Sequence, residues 1–432
     1  MQQYIENSSS TNLKLNTEQE QALSLMLNEA NRFILLTGDA GTGKSTVIRE
    51  FITRIRQRGQ QIEVSASTGI AATHLDGTTF YRVLKLHPAM NRVTYVPTSL
   101  AQVDVIVIDE VSMITAETFD AVFQEIIWIE NNLKKKIRLV LVGDFYQLPP
   151  VTGKSYYNSH WLFESINFKR NFITIKLYQK MRTDENEFAA MLDLAKNGDP
   201  RFLEYINNSC SKTKFQGAPF LCGTREEANK ICKYELLKLL GSEKVLKCNI
   251  ITPPGVSARN KEHPQLETTL VLKVGARVMF TVNDRGNIQY SNGTLGRVTG
   301  FDENDRFVWV QIDNGPTIKV ERVSLKDEID ENITYTQFPL RLSYAFTIHK
   351  AQGMTLEEVN IIPAGWDPGQ LYVAISRARR AEKIYLSDKV TAQMLRVDHR
   401  VIIFSHQIDE EMKRRSQASF ATQNPYMNAR SY

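Results

Sequence analysis

Cysteine is scarce in this chain: 432 residues hold four, Cys210, Cys222, Cys232 and Cys248. No two of them form a C-x-x-C pair, and none of the seven histidines stands at finger spacing from them, which argues against a zinc module and against a disulfide framework. Isolated cysteines of this kind are expected to be small buried hydrophobes in a reducing compartment, so the expected location is cytoplasmic. Long apolar runs are missing too. Nothing approaches the roughly 18 residues that a membrane span needs, and the opening MQQYIENSSSTN has neither the basic nor the apolar region of a secretory leader. No membrane contact is expected. An excess of one charge is also lacking: 53 basic residues face 48 acidic ones, a formal net charge of +5. That balance excludes a purely electrostatic nucleic-acid binder and leaves basic residues to act locally. No repeat of about 20 to 50 residues appears, which excludes a solenoid.

What is present is length enough for two or more domains and one informative loop. Thr37 to Thr46 reads TGDAGTGKST, with Gly38, Gly43, Lys44 and Ser45 on the positions of G-x-x-x-x-G-K-[ST] and Gly41 loosening the turn. Glycines there let backbone N–H groups wrap phosphates, the lysine supplies a cation for the β- and γ-phosphates, and the serine hydroxyl has a place on Mg²⁺. An apolar run, Arg32 to Thr37, precedes the loop as a strand, and Val47 to Ile55 follows with helical spacing. ATP is therefore the expected ligand. Asp109-Glu110 ends a second apolar run, Val103 to Ile108, and supplies what such a site needs next: one carboxylate for Mg²⁺ and an adjacent one to orient water. Gln147, in Gly143 to Pro150 after the run Ile137 to Val142, lies where neighbouring strand ends converge.

The rest of the pattern sets these elements in order. Leu15 to Leu23 reads as a capped helix, Gln61 to Ala66 as another strand, and polar clusters fall at the C-terminal ends of strands, as in parallel sheets covered on both faces. The stretch from His74 to Pro97 breaks the rhythm and reads as a small insertion. A second α/β region opens after Leu177, with helices from Glu187 to Ala195 and from Glu226 to Leu240. Between Val274 and Val320 the period changes to two, with Asn292-Gly293 and Asn314-Gly315 as hairpin turns around Arg306 to Ile312, which predicts a small β-barrel. The α/β rhythm returns at Leu340 to Ala345, Val359 to Pro363 and Lys383 to Leu386. Arg414 to Tyr432 is polar and aperiodic and is expected to be a flexible tail.

Two late clusters, Phe346 to Met354 (FTIHKAQGM) and Gln370 to Arg380 (QLYVAISRARR), combine with the earlier ones into a set that resembles the superfamily 1 helicases. Within them it resembles the Pif-type group, related to RecD and to the phage Dda helicase. LNTEQEQA, GDAGTGKST, ASTGIAAT with GTTFYRVLKL, VIDEVSM, VGDFYQLPPV, KMRTD, NGTLGRV, FTIHKAQGMTLEEV and LYVAISRAR follow the family's order from about Leu15 to Leu386. The resemblance implies two RecA-like P-loop domains, with a wedge insertion in the first and an SH3-like β-barrel insertion in the second. The expected boundaries are 1–175 for the first domain with its wedge at about 74–97, 176–273 and 336–410 for the second, 274–335 for the barrel and 411–432 for the tail.

The same resemblance implies an ATP-dependent DNA helicase moving 5′ to 3′ on single-stranded DNA and acting at single-strand/duplex junctions, with G-quadruplexes and RNA–DNA hybrids as candidate substrates. It implies a monomer that dimerises on DNA. ATP would be held by Gln19, Gly38, Ala40, Gly41, Thr42, Gly43, Lys44, Ser45, Thr46 and Gly353, with Mg²⁺ at Ser45 and Asp109. Glu110 would position water and Gln147 sense the γ-phosphate, while Arg182 and Arg377 arrive from the second domain. DNA would pass Thr68, Gly69, Thr79, Thr347, His349 and Lys350. The apolar start of the last motif keeps the chain buried until Ser376, which makes Arg377 the first arginine expected to emerge into the cleft, with Arg379 and Arg380 facing solvent. Two departures stand out: Tyr81-Arg82 follow Thr79-Phe80 where the family carries other residues, and Thr183 follows Arg182 where it carries glutamine. Lack of the long N-terminal extension of eukaryotic relatives leads to the expectation of a bacterial or phage protein. The alternatives are a RecD-like ATPase subunit that binds strands without unwinding them, and a P-loop ATPase of another class.

Overall fold

The computed structural model describes residues 15–67, 78–83, 86–87, 92–93, 100, 102–150, 160–181, 186–253, 263, 265–284, 289–327 and 332–423, with backbone alone at 78–79, 81–82, 86–87, 92–93, 186 and 416–423. The first domain is built around strand Phe33–Gly38, apolar along most of its length and buried throughout. It pairs in parallel with Arg138–Gly143 on one side and Ile173–Leu177 on the other. The full sheet is parallel, in the order Thr78–Thr79, Ile62–Ala66, Val105–Asp109, Arg138–Gly143, Phe33–Gly38, Ile173–Leu177. Because side chains alternate across a strand, Ile34 and Leu36 join Val47, Ile48 and Phe51 of helix Lys44–Gln57 on one face. Phe33 and Leu35 join Phe119 and Phe123 of helix Ala116–Leu133 on the other. A central strand covered on both faces holds the loop at its C-terminal end against a rigid support.

The second domain carries a smaller parallel sheet, in the order Ala345–Thr347, Phe220–Cys222, Val359–Ile361, Ile384–Leu386. Helix Arg225–Leu237 leaves the end of strand Phe220–Cys222 with Thr224 as its cap, the hydroxyl accepting from Glu227 N at 3.2 Å. Inserted in this domain is an antiparallel sheet, in the order Thr317–Glu321, Phe307–Ile312, Leu295–Phe301, Arg277–Phe280, Leu340–Leu342. Asn314 takes the left-handed conformation, φ 56°, in the hairpin turn after Phe307–Ile312, and Gly293 does so, φ 92°, before Leu295–Phe301, the turn chemistry these pairs favour. All four cysteines are free, and Cys210, Cys222 and Cys232 are buried. No helix among the described residues is long and apolar enough to cross a membrane.

Three expectations are corrected. The antiparallel region starts before residue 274, since Lys244–Lys247 already pairs with Thr269–Leu272. Only Leu246 of that first strand is buried, and its flanking lysines erase the period-two signal. The stretch from 74 to 97 is not wholly an insertion: Thr78–Thr79 is the edge strand of the first sheet and Phe80 is buried in that domain's core, leaving the hairpin of Leu86–His87 with Arg92–Val93 beyond it. The largest change is at the C-terminus, where His399–Gln423 is one helix. Residues 411–423 are thus helical rather than a loose tail, and the helix packs on the first domain, not the second. Val401 enters the first domain's core and Phe404 stacks on Phe163, ring centroids 4.2 Å apart. The Trp161 indole N–H donates to Asp398 Oδ2 at 2.8 Å, Lys176 Nζ donates to Asp409 Oδ1 at 2.5 Å, and Arg415 donates to Thr174 O at 3.1 Å. Val401, Phe404 and Ile408 recur at helical spacing, but their partners lie more than 200 residues upstream, where no local pattern points to them.

Removing the stacked ring should therefore cost real stability. Phe404→Ala is expected to destabilise the first domain by about 2 kcal/mol, whereas Lys413→Ala, on the exposed side of the same helix, should stay within about 0.5 kcal/mol of wild type. Guanidinium unfolding curves read both.

Candidate active site

The phosphate-type loop joins strand Phe33–Gly38 to helix Lys44–Gln57. At Gly43, φ is +83° and an added Cβ would lie 2.3 Å from Gln19 Nε2, so both conformation and space demand glycine. Gln19 reaches this place because helix Thr17–Leu27 opens with a capping box: Asn16 Oδ1 accepts from Gln19 N at 2.8 Å, and Gln19 Oε1 accepts from Asn16 N at 3.1 Å. The other end of that amide, Nε2, donates to Thr42 O at 3.2 Å. Lys44 Nζ donates to Gly38 O at 2.7 Å and Asp39 O at 3.0 Å, so its charge sits within the loop. Ser45 and Thr46 begin the helix, and Gly41 O accepts from Met181 N at 2.8 Å.

Beside the loop stand the carboxylates. Asp109 ends strand Val105–Asp109, and its Oδ1 accepts from Glu110 N at 2.8 Å. Glu110 itself adopts a left-handed conformation, φ 54° and ψ 44°, which costs a non-glycine residue about 1 kcal/mol or more and is characteristic of functional turns. Burial, then the neighbouring Glu110 charge, pushes the Asp109 carboxyl up to about 7. Asp144, also raised by burial, accepts from Gln147 Nε2 at 3.1 Å and from the Tyr146 amide at 3.0 Å.

The second domain completes the arrangement through residues that the sequence reading did not single out. Gln352 Nε2 donates to Glu110 Oε2 at 3.0 Å. The Tyr372 hydroxyl accepts from Ala40 N at 3.2 Å and lies 3.5 Å from Asp144 Oδ2. Gly369 admits the carbonyls of Tyr146 and Gln147, which an added Cβ would meet at 2.4 and 2.6 Å. Lys196, from helix Asn186–Lys196, pairs with Asp39 in the loop; burial opposes ionisation of Asp39, but Lys196 together with Lys180 and Lys44 outweighs it and holds that carboxyl below the usual range. The available signals were a hydroxyl inside the apolar run LYVAI and an amide next to Gly353, whose φ is +81°.

Arg377 departs from expectation. It is 1% exposed, and its guanidinium donates to Val373 O at 2.9 Å, Ser376 Oγ at 2.9 Å and Met354 O at 3.1 Å rather than projecting into the cleft. The apolar run continues past Ser376 into Ala378, and Arg379 is the first arginine to reach the surface. Thr347, His349 and Lys350 come together at the end of strand Ala345–Thr347. Burial, reinforced by Arg341, lowers the Lys350 ammonium to about 8, and burial lowers His349 from its ordinary value. Thr68, Gly69 and Arg182 lie outside the described residues, as do the side chains of Thr79, Tyr81 and Arg82.

These groups fit a nucleoside triphosphate with Mg²⁺. Gln147 Oε1 and Gln352 Oε1 are buried acceptors with no hydrogen-bond partner, which is uncommon unless a ligand or water is to be bound there. Asp109 is a half-buried carboxylate whose raised value a cation would lower. Among the described residues no cluster of three or more His, Cys, Asp or Glu could hold a metal.

A carboxyl whose native value is raised costs stability once ionised. The cost is absent below its ordinary value near pH 4, grows with pH, and is complete above about 7. Without nucleotide or magnesium, Asp109→Asn should therefore stabilise the protein by about 1 to 3 kcal/mol at roughly pH 8, with the gain shrinking as pH falls toward about 5. Urea unfolding across that range tests the sign.

Residues 14–208 match the model of the PIF1-like helicase family. The chain is 30% identical over 419 residues to the ATP-dependent DNA helicase Pif1 of Bdellovibrio bacteriovorus, covering 92% of this chain and 93% of that one. To the Campylobacter jejuni protein of the same name it is 29% identical, covering 86% and 94%. Its fold matches the crystal structure of a Bacteroides Pif1 helicase in complex with ADP-AlF3 and single-stranded DNA, with a TM-score of 0.73, 28% identity, and coverage of 92% and 98%. That likeness runs through both α/β domains. With a cradle, paired carboxylates and a second domain that reaches across to them, the protein belongs to the PIF1-like helicase family.

Proposed function

We propose that this chain is an ATP-dependent DNA helicase that moves 5′ to 3′ along single-stranded DNA and separates the duplex ahead of it. The observation that carries the reading is the hydrogen bond from Gln352 to Glu110. A carboxylate poised for hydrolysis in one domain is oriented by a residue of the other, two positions from Lys350 in the turn assigned to DNA. Mg²⁺, when bound, would offset the phosphate charge and polarise the reacting phosphoryl group. Lys44 holds the β- and γ-phosphates, Gln19 fixes the loop from behind, and Glu110 orients the attacking water by accepting its hydrogen bond. Gln147, anchored through Asp144, keeps its carbonyl oxygen buried and unpartnered and is read as the sensor of the γ-phosphate.

Thr347, His349 and Lys350 are read as the DNA contacts of the second domain, joined by Thr68, Gly69 and Thr79 of the first, with phosphate contacts supplying most of the affinity. Arg182 is assigned to the nucleotide from the second domain. The hairpin of Leu86–His87 with Arg92–Val93 is read as the wedge, and the antiparallel sheet around Phe307–Ile312 as an SH3-like insertion that supports the separated strands. Forks, G-quadruplexes and RNA–DNA hybrids are the proposed substrates. Four free cysteines support action in a reducing cytoplasm. Polarity rests on the family resemblance alone.

Duplexes with a 5′ or a 3′ single-stranded tail, each with and without ATP, provide the test. Unwinding should require ATP and a 5′ tail and vanish in Lys44→Ala, which should still bind single strands; unwinding from the 3′ tail alone overturns the polarity, and a wild-type protein that hydrolyses ATP without DNA stimulation overturns the helicase reading. Arg377 generates a further expectation. Its guanidinium ties the turn at Met354 to helix Gln370–Ile375, so Arg377→Ala should lower DNA-stimulated turnover by about 10²-fold through misplacement of Gln352 and Tyr372. Arg377→Lys should not restore it, because a point charge cannot replace the fork. Steady-state hydrolysis with saturating DNA measures both.

A further inference from the structure

The C-terminal ends of three neighbouring parallel strands meet on one edge of the second domain. Strand Ala345–Thr347 leads into His349 and Lys350, strand Phe220–Cys222 into Gly223, Thr224 and Arg225, and strand Val359–Ile361 into Ala364, Gly365 and Trp366. Ligands of parallel α/β sheets bind at this edge. Trp366 is 56% exposed, yet it is not loose. Its backbone N–H donates to Gln370 Oε1 at 3.0 Å, and its carbonyl accepts from Arg396 at 3.1 Å. The edge of its six-membered ring rests over Gly223, where an added Cβ would lie 2.6 Å from Trp366 Cζ3 and 2.9 Å from Cη2. Glycine at 223 is what lets the indole lie against the end of strand Phe220–Cys222.

The charges around this ring favour a polyanion that carries aromatic bases. Arg225, exposed at the start of helix Arg225–Leu237, lies within electrostatic reach of both His349 and Lys350. Of the acidic groups acting on these two, Glu267 is paired with Arg341, and Asp367 acts on His349. A half-exposed indole on a fixed backbone, flanked by cations and continuous with the turn read as a DNA contact, is a stacking platform in an electrostatic track. We propose that Trp366 stacks on a nucleobase of the single strand as it crosses the second domain, with Arg225 holding an adjacent phosphate. This rests on the helicase reading. It adds a contact that is indifferent to base identity, since every base offers a π-face, and so suits movement along any sequence.

The test uses the full chain, an oligothymidylate of about 12 nucleotides and an abasic strand of equal length. Trp366→Ala should weaken oligothymidylate binding by roughly 5- to 100-fold while leaving the abasic strand and the salt slope as in wild type. Trp366→Phe, which keeps a ring, should bind close to wild type. Arg225→Ala should instead weaken both strands and reduce the slope of log affinity against log salt by about 0.7. Wild-type tryptophan emission should be quenched by oligothymidylate, and the quench should largely disappear in Trp366→Phe. Unaltered oligothymidylate binding by Trp366→Ala, equal losses on the two strands, or a quench that persists in Trp366→Phe would each overturn the stacking. A wild-type protein that binds neither strand and shows no DNA-stimulated hydrolysis would overturn the helicase reading itself, a result distinct from a wild-type protein that binds while Trp366→Ala binds equally well.

Discussion

One hydrogen bond, 3.0 Å from Gln352 to Glu110, sets the terms for much of this molecule. Glu110 occupies a left-handed turn beside Asp109, whose carboxyl burial and the Glu110 charge push up to about 7. An amide arriving from the other domain supplies one donor while leaving its own carbonyl oxygen unpartnered. The arrangement is therefore incomplete within either domain. Separation of the domains strips Glu110 of its partner, so this contact exists only while they are together.

The chain path limits what that movement can be. It crosses from the first domain to the second after Leu177, and it returns after Leu386 so that helix His399–Gln423 lies on the first domain. Asp398 anchors the return: burial disfavours its charge, but hydrogen bonds from Arg400 and the Trp161 indole hold its carboxyl below the usual range. Phe404 and Val401 then seat the helix in an aromatic core with Phe145 and Phe163. Two covalent crossings with a packed anchor favour a hinge over free separation. Lys196 and Asp39 form a third link beside the loop, and because both are largely buried, their pairing is sensitive to charge brought into the cradle.

How much of this was readable beforehand follows from where each signal lies. The cradle, Asp109-Glu110 and the parallel strands were legible because loop chemistry and apolar periodicity are local. Asn314 and Gly293 gave away their turns for the same reason. What was not legible depended on partners remote in sequence. Helix His399–Gln423 has a modest apolar stripe whose partners, Trp161, Phe163 and Thr174, belong to another domain. Strand Lys244–Lys247 buries one residue in four, too little for period two to show. Tyr372 and Gln352 sat inside recognised stretches, but nothing in their neighbours assigns a hydroxyl or amide to a site more than 200 residues away. Arg377 misled for a physical reason: a charged residue at the end of an apolar run is expected to surface, and here backbone carbonyls satisfy it inside.

That buried guanidinium also explains how the two ends of the second domain act as a unit. Its donors reach Met354 O, at the end of the turn that starts from Thr347, and Val373 O, on the helix that carries Tyr372. An arginine with its donors engaged in the interior is a rigid strut, because releasing any one bond leaves a buried charge short of a partner. The turn bearing Lys350 and Gln352 and the helix bearing Tyr372 are thereby held in one body. Lys350 lies at one side of that body, its ammonium lowered by burial and by Arg341. Gln352 and Tyr372 lie at the other, against Glu110 and Ala40. A shift at the Lys350 side need travel only through a strut, not through a chain of loosely packed residues, to alter the hydrogen bond on which the carboxylate's orientation depends.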